Sequence, residues 1–193
     1  MERNYSTQME AARKGIITPE MKIVAKKEYR TEEEIREWVA KGQVAICANR
    51  NHKSLDPEGV GSMLRTKINV NLGVSRDCKD YDVEMKKVQA AVDMGAEAIM
   101  DLSSHGDTIP FRRKLTSECP AMIGTVPVYD SVIHYQRDLA TLTAKDLIDA
   151  PQRIRIKSDY WGNLTQSFCR SVSFFYGFVW RSQNFYRIFV ISK

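Results

Sequence analysis

Three short β-like runs end at Asn71, Met100 and Tyr129, each 29 residues after the one before. A strand and its return helix occupy about that length in a parallel sheet. The runs are Lys67–Leu72, Ala98–Ser103 and Ile123–Tyr129, each followed by a polar loop and then a helical pattern. Successive βα units of an α/β sheet or barrel read this way, and an all-helical or all-antiparallel fold does not. In such folds the chemistry gathers at the C-terminal ends of the strands.

Side chains alternate along a strand, so in the first run Ile68, Val70 and Leu72 take one face and Lys67, Asn69 and Asn71 the other. A wholly buried structural strand is apolar on both faces. The polar face is that of an inward-facing site or of a half-exposed edge. In the third run Thr125, Pro127 and Tyr129 lie opposite Val126 and Val128, and a proline sits most easily near a strand end.

Asp80 or Asp82 can cap a return helix carrying Val83, Val88, Ala91 and Val92, with Gly95 in its closing turn. Residues 103–108 form a loop of capping and turn residues before a short stretch from Phe111 to Glu118, residues 129–138 are helical, and Thr143 with Asp146 forms a capping pair for the next helix. Ahead of the sheet, Thr18-Pro19 predicts a helix over 19–27, and Thr31 with Glu34 a capping box for a helix finishing near Gly42. Val44–Cys47 is a candidate strand leading into the polar cluster Asn49-Arg50-Asn51-His52, which reads as turn chemistry or a binding loop.

Composition divides the 193-residue chain. Residues 151–193 hold 11 of the 18 aromatic residues, and seven Lys and Arg against Asp159 alone; residues 1–150 carry 22 basic and 23 acidic side chains. The basic excess therefore belongs to the tail, which weakens any inference from overall charge to nucleic-acid or membrane binding. The interleaved Arg and aromatics of Phe168–Tyr176 could stack on single-stranded bases, but they match no organised module. The most apolar segment, residues 172–180, is about half the ~20 residues of a membrane span. Three segments result: an N-terminal helical layer with a short strand (1–66), the first βα units (67–150) and a divergent aromatic, basic tail (151–193).

The chain is too short for a whole eight-stranded βα barrel of about 250 residues. Its start leads into a charged amphipathic region rather than an apolar signal. Cys47, Cys78, Cys119 and Cys169 are widely spaced without a CxxC pair, the pattern of small buried cytoplasmic thiols rather than a disulfide framework.

Four ordered motifs resemble the phosphomethylpyrimidine synthase (ThiC) family of thiamine biosynthesis: Thr7-Gln8-Met9 with Ala11–Met21; Lys67–Gly73; Met100–Ser103; and Ile123–Tyr129. The resemblance spans about residues 5–149. It implies a (β/α)8 TIM-barrel fold, of which about three units are present. It also implies a radical S-adenosylmethionine enzyme that rearranges 5-aminoimidazole ribonucleotide into hydroxymethylpyrimidine phosphate. The implied cofactors are a 4Fe-4S cluster, S-adenosyl-L-methionine and a zinc ion, and a family-like homodimer is implied as well. Carried over position by position, the family's substrate-contacting Asn, Met and Tyr fall on Asn71, Met100 and Tyr129.

After Asp149 the resemblance stops. The family's cluster motif CxxCxxxxC is absent, and His52, His105 and His134 all precede the break, so no catalytic residue and no metal ligand is transferred. Charge, aromatic content and resemblance change at one place, as in a truncated or frameshifted product. The related 5-hydroxybenzimidazole synthase of cobamide biosynthesis, with the same substrate and cofactor, stays open as an alternative. So does a non-catalytic remnant or interaction protein. Three units alone would leave an open sheet edge and unpartnered barrel-facing side chains unless the tail covers them.

Overall fold

The computed structural model describes residues 4–49, 51–154 and 188–191. The predicted tail surface, Cys169 and the apolar segment 172–180 lie outside them, as does Arg50.

The N-terminal layer has three helices, α1 (Gln8–Arg13), α2 (Pro19–Glu28) and α3 (Glu32–Ala40), and an antiparallel pair, β1 (Val44–Ile46) with β2 (Gly59–Gly61). Its helix starts follow the sequence signals. Thr18 accepts from Met21 N–H ahead of Pro19, and Thr31 and Glu34 close a reciprocal capping box. Met21, Val24, Ile35, Val39, Val44 and Ile46 form the core of this layer.

The second layer is a parallel sheet, β3 (Lys67–Leu72), β4 (Ala98–Asp101) and β5 (Met122–Thr125), with α4 (Tyr81–Asp93) and α5 (Thr108–Glu118) as crossovers. Asp80, not Asp82, caps α4, accepting from the Asp82 and Val83 N–H groups at 2.9 and 3.1 Å. One sheet face carries Leu72, Ile99 and Ile123, which pack with Val88, Ala91, Phe111 and Leu115 of the helices. Beyond β5 come α6 (Pro127–Tyr135), a 3-10 turn (Leu139–Thr141) and α7 (Ala144–Ile154). Thr143 and Asp146 exchange N–H bonds ahead of α7 as their spacing predicts.

The opposite face begins with Lys67, Asn69, Ala98 and Met122. Val60 of β2 packs with Ala98 and Met122, so the N-terminal layer closes this face at the strands' starting end. Lys67 is 2% exposed; its Nζ pairs with the buried Glu28 carboxylate of α2 and donates to Arg65 C=O at 2.9 Å. On the polar side of β3, Lys67 and Asn69 are thus buried and Asn71 is half-buried. A fourth strand, β6 (Ile188–Ile191), pairs parallel with its far side, giving the order β5-β4-β3-β6.

Two expectations need correction. The third strand ends at Thr125, and Pro127–Tyr135 is helix, so Tyr129 lies in the first turn of α6 rather than at a strand end. Proline lacks the N–H that a strand interior needs and suits the first helical position, and that preference decides residues 126–129. The second equal interval is therefore not a strand repeat: Asn71 pairs in register with Met100, but Met100 pairs with Gly124. The second correction concerns the thiols, because Cys78 is exposed whereas Cys119 is buried and Cys47 half-buried.

Candidate functional site

Asn71, Met100 and Gly124 form one register row across β3, β4 and β5, next to the C-terminal ends of the strands. Neighbouring strands lie about 4.8 Å apart, so Asn71 and Met100 are adjacent, both half-buried. One row deeper, Asn69 donates from Nδ2 to Asn71 Oδ1 at 2.8 Å, while Asn69 Oδ1 is buried with no hydrogen-bond partner. A buried amide with an unmet acceptor is uncommon and costs free energy. It gives this face a polar floor. Gly124, buried, adds no side chain to the row. Tyr129, 37% exposed, stands apart from the row, on the helix that leaves the end of β5.

The strand-end loops are bonded to one another. Leu102 N–H donates to Leu72 C=O at 2.7 Å, Val74 N–H to Ser103 Oγ at 3.1 Å and Ser104 N–H to Val74 C=O at 3.0 Å. Glu84 of α4, fully buried, accepts from Gly73 N–H at 2.8 Å and pairs with Lys87 at 2.6 Å.

Behind these loops lies a buried charge cluster that periodicity did not disclose. Arg112 of α5 donates from Nε to Asp101 at 2.6 Å and from Nη1 to Asp130 at 2.7 Å, and Thr108 Oγ1 meets Asp130 at 3.4 Å. Burial pushes the Asp130 carboxyl up to about 6; Arg112 opposes that shift and the nearby Asp101 charge adds to it. Burial pulls the Arg112 guanidinium down, but the two carboxylates outweigh it and its pKa is raised. The hydroxyl of Tyr81, stacked on Phe111 at 5.1 Å, is likewise pushed up by burial, then by Asp101 and Asp107. The sequence signal was present in another form: an aspartate directly follows both Met100 and Tyr129.

The described members of the 49–52 cluster are hydrogen-bonded within the fold. His52 is buried, with Nε2 2.7 Å from Cys119 C=O, which also accepts from Ser54 Oγ. Asn51 N–H closes a turn onto Asn49 Oδ1 at 2.9 Å. Among the described residues no group of three or more His, Cys, Asp or Glu is placed to hold a metal ion. The iron–sulfur cluster and zinc ion of the resemblance therefore do not fit this donor set. No helix among these residues is long and apolar enough to cross a membrane.

Comparison with known proteins covers most of the region before the tail. The model of the Radical SAM ThiC family matches residues 7–156. A phosphomethylpyrimidine synthase of Alkaliphilus oremlandii is 60% identical over 149 residues, covering 77% of this chain and 34% of that protein. One from Clostridium botulinum strain Hall is 57% identical over 150 residues, covering 78% and 34%. The chain spans about a third of the length of the curated relatives it matches. With that match joined to a parallel sheet whose polar residues meet at the strand ends, the chain belongs to the radical SAM ThiC family.

Proposed function

We propose that residues 67–150 form the opening strands of a TIM-type barrel and supply one wall of a pocket for 5-aminoimidazole ribonucleotide. In the complete enzyme that ribonucleotide becomes hydroxymethylpyrimidine phosphate. The observation that carries the reading is the in-register pairing of Asn71 with Met100 at the C-terminal ends of adjacent parallel strands, above the amide floor of Asn69. Asn71 offers a polar ligand a donor and an acceptor, Met100 a deformable apolar wall, and Tyr129 a ring and a hydroxyl. The radical chemistry belongs to S-adenosylmethionine and an iron–sulfur cluster held by the rest of a full-length relative; this chain's part is to bind and orient the substrate in the cytoplasm.

The test is a chimera in which residues 1–149 replace the matching part of the Alkaliphilus oremlandii relative. Anaerobic turnover of the ribonucleotide to hydroxymethylpyrimidine phosphate is expected. Formation of 5-hydroxybenzimidazole would instead place the chain in the cobamide branch, and no turnover by a folded, cluster-loaded chimera would support a non-catalytic remnant. In the chimera, Asn71→Ala should weaken ribonucleotide binding by about 1–3 kcal/mol, the cost of an unpaired buried polar group. Tyr129→Phe isolates the hydroxyl, and Met100→Ala should uncouple S-adenosylmethionine cleavage from product formation by loosening substrate placement. Parent-like binding and turnover in all three variants would remove the site assignment.

The 193-residue chain by itself is expected to hold no stoichiometric iron–sulfur cluster and to release no 5′-deoxyadenosine. Among the described residues, Cys47, Cys78 and Cys119 belong to no group of three or more metal-binding side chains. Iron analysis after anaerobic reconstitution checks this, and a full cluster with turnover would refute it.

A further inference from the structure

We propose that Arg112 is a positioning residue that locks the first turn of α6, and with it Tyr129, to the strand end that carries Met100. The inference rests on the reading of Met100 and Tyr129 as substrate contacts, and goes beyond it by naming the group that fixes their separation.

The geometry is specific. Asp101 is the last residue of β4 and directly follows Met100; Asp130 lies in the first turn of α6 and directly follows Tyr129. One guanidinium grips both, at 2.6 and 2.7 Å. Arginine suits this task because its donors are fixed in a plane and its charge does not titrate.

Among the described residues, no side-chain cap at the start of α6 does the same work. Its N-cap, Val126, makes no side-chain hydrogen bond, and Pro127 has no N–H to offer. The first turn is closed by Tyr129 N–H to Val126 C=O at 3.0 Å, a bond within α6's own start that carries no information about β4. Other helices of the chain, such as α4 and α5, begin on aspartate caps that accept backbone N–H groups. At α6 the aspartate is instead turned inward onto Arg112.

The charges are unequal, one cation between two carboxylates. The groups facing Asp130 are Asp101 of β4, and Arg112 and Thr108 of α5. The buried Asp130 Oδ2 and Arg112 Nη2 atoms have no hydrogen-bond partner. Protonation of Asp130, whose carboxyl titrates at about 6, removes the one negative charge by which α6 is held to the guanidinium and leaves the Asp101 charge of β4 in place.

The test places 3-fluorotyrosine at position 129 of the 193-residue chain, with a second sample labelled at Tyr29, 91% exposed on the N-terminal layer, as a control. The fluorine resonance at position 129 should titrate with a midpoint near 6, and the resonance at Tyr29 should not. Asp130→Asn should abolish that step, and Arg112→Met should move the resonance toward its solvent-exposed value while circular dichroism stays parent-like. If Arg112→Met does not fold, Asp130→Asn decides, because it keeps the Arg112–Asp101 pair. A resonance at position 129 that is the same in parent and Asp130→Asn across pH 5–8 overturns the proposal. Failure of the chimera to bind ribonucleotide, with the fluorine results as expected, would remove the substrate reading and leave the lock in place.

Discussion

Lys67→Ala should be the most destabilising side-chain truncation in the N-terminal half of the sheet, at about 3–5 kcal/mol. The Lys67 ammonium lies between the Glu28 carboxylate of α2 and the Arg65 carbonyl, with both members of the pair about 1% exposed. Removing the cation leaves a buried carboxylate whose remaining contacts are Arg65 N–H at 2.7 Å and the outlying Arg65 guanidinium at 3.6 Å. Urea unfolding should show the midpoint falling by roughly 1 M or more, given slopes of about 1–3 kcal/mol per molar for chains of this size. The double variant Glu28→Leu with Lys67→Met should recover most of the loss, since an apolar pair of similar volume often replaces a buried ion pair without cost. A midpoint unmoved by Lys67→Ala would mean that the pair is solvated and does not join the two layers.

Gly73→Ala should be nearly as damaging, for a reason confined to the backbone. Gly73 has φ +137°, and a Cβ there would stand 2.5 Å from Ser103 N and 2.9 Å from Leu102 C. Those atoms are main chain and cannot rotate away. The strained conformation alone costs about 1–3 kcal/mol, and separating the β3 and β4 loops would also break the Val74 and Ser104 bonds. Gly95→Ala is the control: φ is +83° and nothing lies within 4 Å of its Cβ, so only the left-handed penalty of about 1–2 kcal/mol applies. Thermal unfolding should rank Gly73→Ala well below Gly95→Ala, with faster amide exchange at Ser104. Equal effects would mean that the two loops separate freely.

Local chemistry made much of this architecture legible before any coordinates. Thr31 with Glu34, Asp80, Thr18 and the Thr143–Asp146 pair each mark a helix start by a bond spanning two or three residues, and such bonds are visible in sequence. Asn71 and Met100 were legible for a related reason, because one βα unit of regular length brings its two strand ends into register. Tyr129 was misplaced because alternation over Thr125, Pro127 and Tyr129 has strand period, while the proline inside it favours a helix start. β2 escaped because Gly59-Val60-Gly61 has little strand preference of its own and forms by pairing with β1. Arg112 escaped for the opposite reason: its partners lie 11 and 18 residues away on separate elements, and only the folded chain brings them to one guanidinium.

The strand order also sets a sequence of events in time. The pairs Asn69–Ala98 and Ala98–Met122 close intervals of 29 and 24 residues, whereas Lys67–Ile188 closes 121. Loop closure grows with the logarithm of length, so the last pairing carries about 1.2 kcal/mol more entropic cost than the first. It also draws on a strand translated after the other three. β3, β4 and β5 therefore assemble as a nascent three-stranded unit, with the outer side of β3 bare until β6 has been translated. That interval is when a chaperone, or the strand of another molecule, competes with β6 for the same backbone groups.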